Sequence, residues 1–484
     1  MKKPSFQSHI LTALLFLSLS LVAPPLKAQT DEKANEQAKK TDAKEVGDEF
    51  RPLDRDDEYY ELLTLFADTL DQIDRNYVKD ISKRELMEAA IEGMIKKLDQ
   101  YSNYIPPKEI ERFKGSVKSE FGGIGIQVSI ENERLTVISP IVDSPAYRAG
   151  LIAGDVITEI EGESTEGITL DEAVQKMKGK VGTKVTITII HPDDPMPKKV
   201  ALERAIVRVQ TVLGDHRKDD DAWDFMFDEK RKIGYIRVTS FSEHTVSELR
   251  DAMKELLKSE MRGLILDLRF NPGGLLSSAI EVCDMFVNSG RIVSTEGRNA
   301  PKRVWDATSK GTYPEFPMAI LVNRYSASAS EIVSACLQDH KRAVVVGERT
   351  WGKGSVQNII DLENGRSALK LTTAGYMRPS GKNIHRFEGA TKDDEWGVKP
   401  NSEFALRLTE HEISDLLRYR RVRDIVQERD PNEDPENSFE DRQLNLAIQY
   451  VQSKLAVAEA KAASSDSDDE KSTDAKAADE KAGA

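Results

Sequence analysis

Between Ile206 and about Phe404 the sequence repeatedly pairs a short, unbroken apolar run with a longer amphipathic one. "KIGYIRV" precedes "TVSELRDAMKELL", "RGLILDL" precedes "GLLSSAIEVCDMFV", "MAILVN" precedes "ASEIVSACLQ", and "RAVVVGE" precedes "GSVQNIIDL". A strand without polar alternation has to be covered on both faces, and helical connections supply the cover. The pattern therefore predicts an α/β core, a mixed sheet packed under helices.

The flanking sequence divides into further segments. Lys2 and Lys3, an apolar run from Ile10 to Val22 and the small residue Ala28 in "PPLKAQT" have the order of a cleaved export signal over 1–28. At 13 residues the run is shorter than the roughly 20 that span a bilayer. An exported, soluble mature chain is therefore expected, in preference to a membrane-associated one. Residues 29–50 read as a flexible linker, and 51–115 as a helical segment carrying "YYELLTLFADTLDQI" and "KRELMEAAIEGMIKKL". Residues 116–204 read as a small mixed domain of strands and one short helix, and 205–404 as the core. A second helical segment, 405–463, contains "HEISDLLRYRRVRDIVQ" and "EDRQLNLAIQYVQSKLA"; its amphipathicity suits assembly or contact with a partner. Residues 464–484 hold seven acidic and three basic side chains and nothing apolar larger than alanine, the composition of a disordered tail.

A formal charge of −14 argues against a nucleic-acid partner. There is no CxxC or HxxxH, so neither a metal nor another cofactor is expected. Cys283 and Cys336 both lie in helix-like apolar patterns and read as buried thiols, although export would permit a disulfide.

Three stretches offer chemistry. "NRYSASASEIVSA" sets Ser326, Ser328 and Ser330 at the junction of an apolar strand and a helix. A serine at a helix N-terminus faces free amides and the positive end of the helix dipole, which suit an oxyanion; it is also a preferred helix cap. "DLRFNPGGLL" runs a buried strand into Asn271-Pro272-Gly273-Gly274, where the glycines allow close backbone approach. "GERTWGKGSVQ" places Lys353 between two glycines with Gln357 four residues on. A lysine acts as a general base only when its amine is neutral, and desolvation is what neutralises it.

Taken together and in this order, the stretches resemble the carboxy-terminal processing proteases, serine peptidases of family S41 with an embedded PDZ domain. The resemblance extends over the export signal, the helical segment with "LDQYSNYI", the small mixed domain and the core. It implies a multidomain chain: an α/β peptidase core with an oxyanion-hole fold, an inserted PDZ domain over 116–204, and N- and C-terminal helical segments. It implies that the nucleophile lies twenty-five residues before the lysine of the G-K-G-S-V-Q motif, which selects Ser328 against Lys353, with Gln357 as the third residue. The oxyanion hole would then use an amide of Gly273 or Gly274 together with that of Ala329, leaving Ser326 and Ser330 structural. His244 and His385 are not required.

By the same resemblance, "FGGIGIQV" is a carboxylate-binding turn, Gly123-Ile124-Gly125-Ile126, with Val174 on the helix that walls the peptide groove. Successive amides make a nest for a terminal carboxylate, and the next strand can pair with an extended peptide. The implied partners are proteins or peptides with free C-termini, with room for an adaptor or activating protein and for a homo-oligomer; the implied site is the periplasm. The chain departs from the pattern at Gly397-Val398-Lys399-Pro400-Asn401, where "GI-x-P-D" is frequent, and at Trp351, more often Phe or Tyr. A non-catalytic PDZ scaffold and a CoA-handling oxyanion-hole enzyme are the rival readings. The first would have lost Ser328 or Lys353, and the second would not need a reader of peptide termini.

Overall fold

The computed structural model describes residues 57–426 and 439–481, so the export signal 1–28 and the linker 29–50 lie outside the described residues. The chain forms two compact units. Of the described residues, the larger holds Lys108–Asn358 and those from Thr372 on, and the smaller holds 57–107 with Ile359–Leu371.

In the smaller unit, α1 (Asp57–Asn76) and α2 (Lys83–Ile95) answer the two amphipathic stretches. Ser82 starts α2 through a capping box with Glu85, which satisfies two amides the helix cannot. Strand β1 (Asn103–Ile105) pairs with residues 368–370, Asn103 opposite Lys370. The apolar side chains Leu62, Leu63 and Leu65 of α1 are exposed.

The larger unit contains the small mixed domain. Strands β2 (Glu120–Gly123), β3 (Ile126–Glu131), β4 (Arg134–Pro140) and β5 (Val156–Ile160), helix α3 (Leu170–Met177), and strands β6 (Lys184–His191) and β7 (Asp194–Glu203) follow in order. The sheet runs β3-β4-β5-β6-β7, which leaves β3 at an edge beside α3. Its own core includes Leu135, Val137, Ile157, Ala173, Ile187 and Leu202. Strand β2 pairs outside that sheet, with β8 (Ala205–Arg208).

The α/β core is built on β9 (Ile233–Val238), β10 (Gly263–Asp267), β11 (Met318–Val322) and β12 (Val344–Gly347), parallel neighbours in that order. Nearly every residue of these strands is buried, which is why their sequences show no alternation. Antiparallel pieces on the β9 side make the sheet mixed. Helices α4 (Thr245–Lys258), α5 (Leu276–Asp284) and α6 (Ala329–Asp339) form the crossovers.

Three expectations need correction. "GSVQNIIDL" is not a helix but strand β13 (Ser355–Leu362), paired with β14 (Ser367–Met377). Its β-branched Val356, Ile359 and Ile360 suit a pleated surface better than a helix. The C-terminal helical segment, α7 (Glu410–Asp424) and α8 (Arg442–Lys481), is a layer of the core itself. Ala447, Val451 and Leu455 pack on Ile233, Ile265, Ala319 and Leu321, and a Cβ on Gly263 would come within 2.4 Å of Val451. Finally, α8 continues to Lys481, so most of 464–484 is helical where a disordered tail was expected. Alanine, glutamate and lysine are strong helix formers, and a helix nucleated on the core propagates outward at little cost.

Val451→Asp should remove roughly 3 kcal/mol or more of stability in thermal denaturation, because it buries an unpaired charge against the sheet. A loss below about 1 kcal/mol would contradict this placement of α8.

Candidate active site

Parallel α/β sheets present their loops at the carboxyl ends of the strands, where ligands bind. Here the loops after β10, β11 and β12 carry the three stretches singled out from sequence.

The loop after β11 is tied down before it reaches the serine. Asn323 Oδ1 accepts from the amides of Phe270 (3.0 Å) and Tyr325 (3.1 Å). Ser326 Oγ donates to Leu268 O (2.7 Å) and accepts from Asn323 N (3.0 Å). Ser330 Oγ donates to Asn271 O (2.9 Å). Ser326 and Ser330 thus hold the loop to the neighbouring turn. Ser328 sits between them, fully buried, at φ 57° and ψ −114°. Positive φ is costly for a residue with a Cβ, and such strain persists where the surroundings enforce it, as at the strand-to-helix elbows of serine hydrolases.

The turn after β10 lies against this serine. Asn271 Nδ2 donates to Val238 O (2.8 Å), and Asn271 O accepts from Ala327 N (3.0 Å). Gly273 and Gly274 have φ of 101° and 146°. A Cβ on Gly273 would stand 2.7 Å from Ser328 Cβ and 2.9 Å from Ala329 N; one on Gly274 would stand 2.0 Å from Phe241 O. Only glycine fits either place. Of the two amides expected from sequence, that of Gly273 is already donated to Asn271 Oδ1 (2.8 Å). The amides of Gly274 and Ala329 have no acceptor among the described residues.

The lysine loop follows β12. Lys353 is 1% exposed. Its carbonyl accepts from the Tyr376 hydroxyl, and Gly354 O accepts from Tyr376 N (3.0 Å). Gln357 is buried, and its Nε2 donates to Ser355 Oγ (2.9 Å) and Thr372 Oγ1 (3.1 Å). Gln357 Oε1 is buried with no donor among the described residues, so a donor there would fill an open acceptor.

Glu331, which the sequence reading passed over, joins the serine and lysine loops. Oε2 accepts from Ser328 N (2.8 Å) and Lys353 N (2.8 Å), and Oε1 from Gly352 N (2.7 Å) and Thr350 Oγ1 (2.5 Å). Burial pushes the Glu331 carboxyl above its ordinary value, opposed by these four donors. The signal was present: Ser328-x-x-Glu331 before an apolar run is a capping-box pattern. His385 Nδ1 accepts from Gly354 N (3.3 Å), beside the lysine, while His244 Nε2 lies 2.9 Å from Glu120 Oε1 at the foot of β2.

In the small domain, Gly123 ends β2 and Ile126 begins β3, with Ile124 buried between them. The carbonyls of Ile124 and Gly125 are taken by Ala146 N and Ile141 N (both 2.9 Å), which fixes the turn. Val174 is half-buried on α3. Lys178, not singled out from sequence, lies over the Phe121 ring, 4.9 Å from its centre. Burial pushes its amine below the ordinary lysine value, and the charge of Arg112 adds to the effect.

Residues 232–403 match peptidase family S41, 136–190 match the PDZ domain, and 17–108 match the activating protease CtpB N-terminal domain. A carboxy-terminal-processing protease of Bartonella bacilliformis is 42% identical over 340 residues, covering 69% of this chain and 75% of the relative. The carboxy-terminal processing protease CtpB of Bacillus subtilis is 33% identical over 339 residues, 69% of this chain and 66% of the relative. A probable CtpA-like serine protease of Staphylococcus aureus is 35% identical over 316 residues, 65% and 60%. Being 42% identical to the first of these over 340 residues, three quarters of that protein, the chain belongs to the carboxy-terminal-processing proteases, serine peptidases of family S41 with a PDZ domain.

Proposed function

We propose that this protease is exported to the periplasm, captures polypeptide C-termini on its PDZ domain and hydrolyses peptide bonds with a Ser328–Lys353 dyad. The observation that carries the reading is the shared carboxylate oxygen of Glu331, which accepts both the Ser328 and the Lys353 amide. It fixes the two loops against each other next to two unclaimed amides.

Burial disfavours the charged form of an amine, the condition a lysine base needs. Lys353 takes the Ser328 proton as Oγ attacks the scissile carbonyl. The amides of Gly274 and Ala329 stabilise the tetrahedral oxyanion. Lys353 returns the proton to the leaving amine, leaving an acyl ester on Ser328. Water, deprotonated by Lys353, then releases the acid and restores the serine. Gln357 orients the Lys353 amine through its open Oε1 acceptor. Substrate tails enter along the free edge of β3, the terminal carboxylate meeting the Gly123–Ile126 turn and apolar side chains meeting Val174. Activation by another protein and self-association are compatible with this reading.

An unfolded protein ending in apolar residues should be cut by the mature enzyme. Ser328→Ala and Lys353→Ala should each lower the rate by at least about 10³-fold, and equal cleavage by all three would contradict the dyad. Binding of the tail without cleavage by any of them would point to a scaffold. Glu331→Gln should cost on the order of 10²-fold in rate and about 2 kcal/mol in stability, because an amide cannot accept from all four donors. Terminal sequencing of the exported protein should begin at Gln29, and a retained Met1 would contradict signal cleavage.

A further inference from the structure

Strand β10 ends in Asp267, and Arg269 and Asn271 follow it into the glycine turn. Arg269 and Asp267 are buried, and Arg269 is among the largest side chains wholly withdrawn from water. Arg269 Nε lies 3.1 Å from each Asp267 oxygen, and Nη2 lies 2.7 Å from Oδ2. The rest of the guanidinium is taken by Asp441, from Nη1 to Oδ1 at 2.9 Å and from Nη2 to Oδ2 at 2.7 Å, and by Gln443 Oε1 at 3.1 Å. Asp267 Oδ2 also accepts from Arg420 of α7 and, at 2.8 Å, from the Tyr235 hydroxyl. The cluster therefore balances two carboxylates against two guanidiniums. Burial alone would push the Asp267 carboxyl up, but Arg269 and Arg420 outweigh it and hold it well below the usual carboxylate range.

Half of this balance comes from beyond the peptidase-family match, which ends at residue 403. Without Asp441 and Arg420, Arg269 and Asp267 would keep a buried pair with unfilled donors and acceptors, and removing one partner of a buried pair is strongly unfavourable. The strain would fall two residues from Asn271, whose side chain holds both Val238 O and the Gly273 amide. Arg269 acts from behind the site: the chain on either side of it meets the serine loop at Leu268 O and Phe270 N and leads into the glycine turn at Asn271.

We propose that Asp441 and Arg420 are positioning residues of the peptidase: through Arg269 and Asp267 they fix the turn that presents the Gly274 amide to the oxyanion. The C-terminal segment is then a working part of the catalytic unit. The inference rests on the Ser328 dyad and its oxyanion hole as proposed above.

A peptide aldehyde whose hemiacetal forms on Ser328 reports the oxyanion hole, and the corresponding peptide acid reports ground-state binding alone. Asp441→Asn in the full mature chain should weaken the aldehyde about tenfold or more, a part of the 10²–10³-fold worth of a whole oxyanion donor. It should leave the acid within about twofold, and kcat should fall with KM little changed. Leu455→Ala, which destabilises α8 away from the cluster, should leave the aldehyde-to-acid ratio unchanged. Arg420→Gln, at a less buried site, repeats the measurement should Asp441→Asn not fold. Equal weakening of aldehyde and acid, or an unchanged ratio in both cluster variants, overturns the positioning role. Absence of a Ser328 adduct in the parent overturns the catalytic reading itself, and this inference with it.

Discussion

One buried carboxylate organises the catalytic end of this protein. Glu331 accepts four hydrogen bonds from two loops that follow neighbouring parallel strands. Charge-assisted bonds of this kind contribute roughly 1.5–3 kcal/mol each, and desolvation of the carboxylate opposes much of that. The upward push on its carboxyl is the sign of that opposition. What the arrangement secures is relative position. Ser328 and Lys353 are twenty-five residues apart in sequence, and their amides meet at one oxygen.

The rest of the larger unit keeps that meeting point rigid. Positive φ at Ser328 is affordable because Ser326 and Ser330 tie the loop on either side of it. The glycine turn can approach because its residues lack a Cβ, and the ion cluster behind it anchors the strand it leaves. Helix α8 seals the sheet face with Ala447, Val451 and Leu455. The PDZ domain is also held to the core by named contacts. The Tyr147 hydroxyl donates to Asp221 Oδ2 (2.6 Å), Val426 N donates to Ser139 Oγ (3.1 Å), and His244 faces Glu120. The last of these links β2, which leads into the Gly123–Ile126 turn, to the loop of Phe241, which pairs with Gly274.

Much of this was legible because it is local. Unbroken apolar runs announced the parallel strands and glycines marked the close turns, whereas the choice of one serine of three came from the family resemblance and not from the residues alone. "GSVQNIIDL" carried a local signal in its β-branched residues, and its partner β14 follows within a few residues. Two other features escaped because they depend on residues more distant in sequence. Glu331 looked like an ordinary cap until the lysine loop came to it. The C-terminal helices looked free to meet a partner because the sheet face that takes them is assembled from residues more than a hundred positions earlier. Between Gly273 and Gly274 the sequence left a choice that one hydrogen bond to Asn271 narrows.

The most direct measurement is the site of acylation. A β-lactone opened by the enzyme leaves an ester on the nucleophile, which peptide mass spectrometry can locate. The ester should be found on Ser328 in the parent and be absent from Lys353→Ala. An ester on Ser326, Ser330 or elsewhere, or one that forms equally without Lys353, would contradict the dyad.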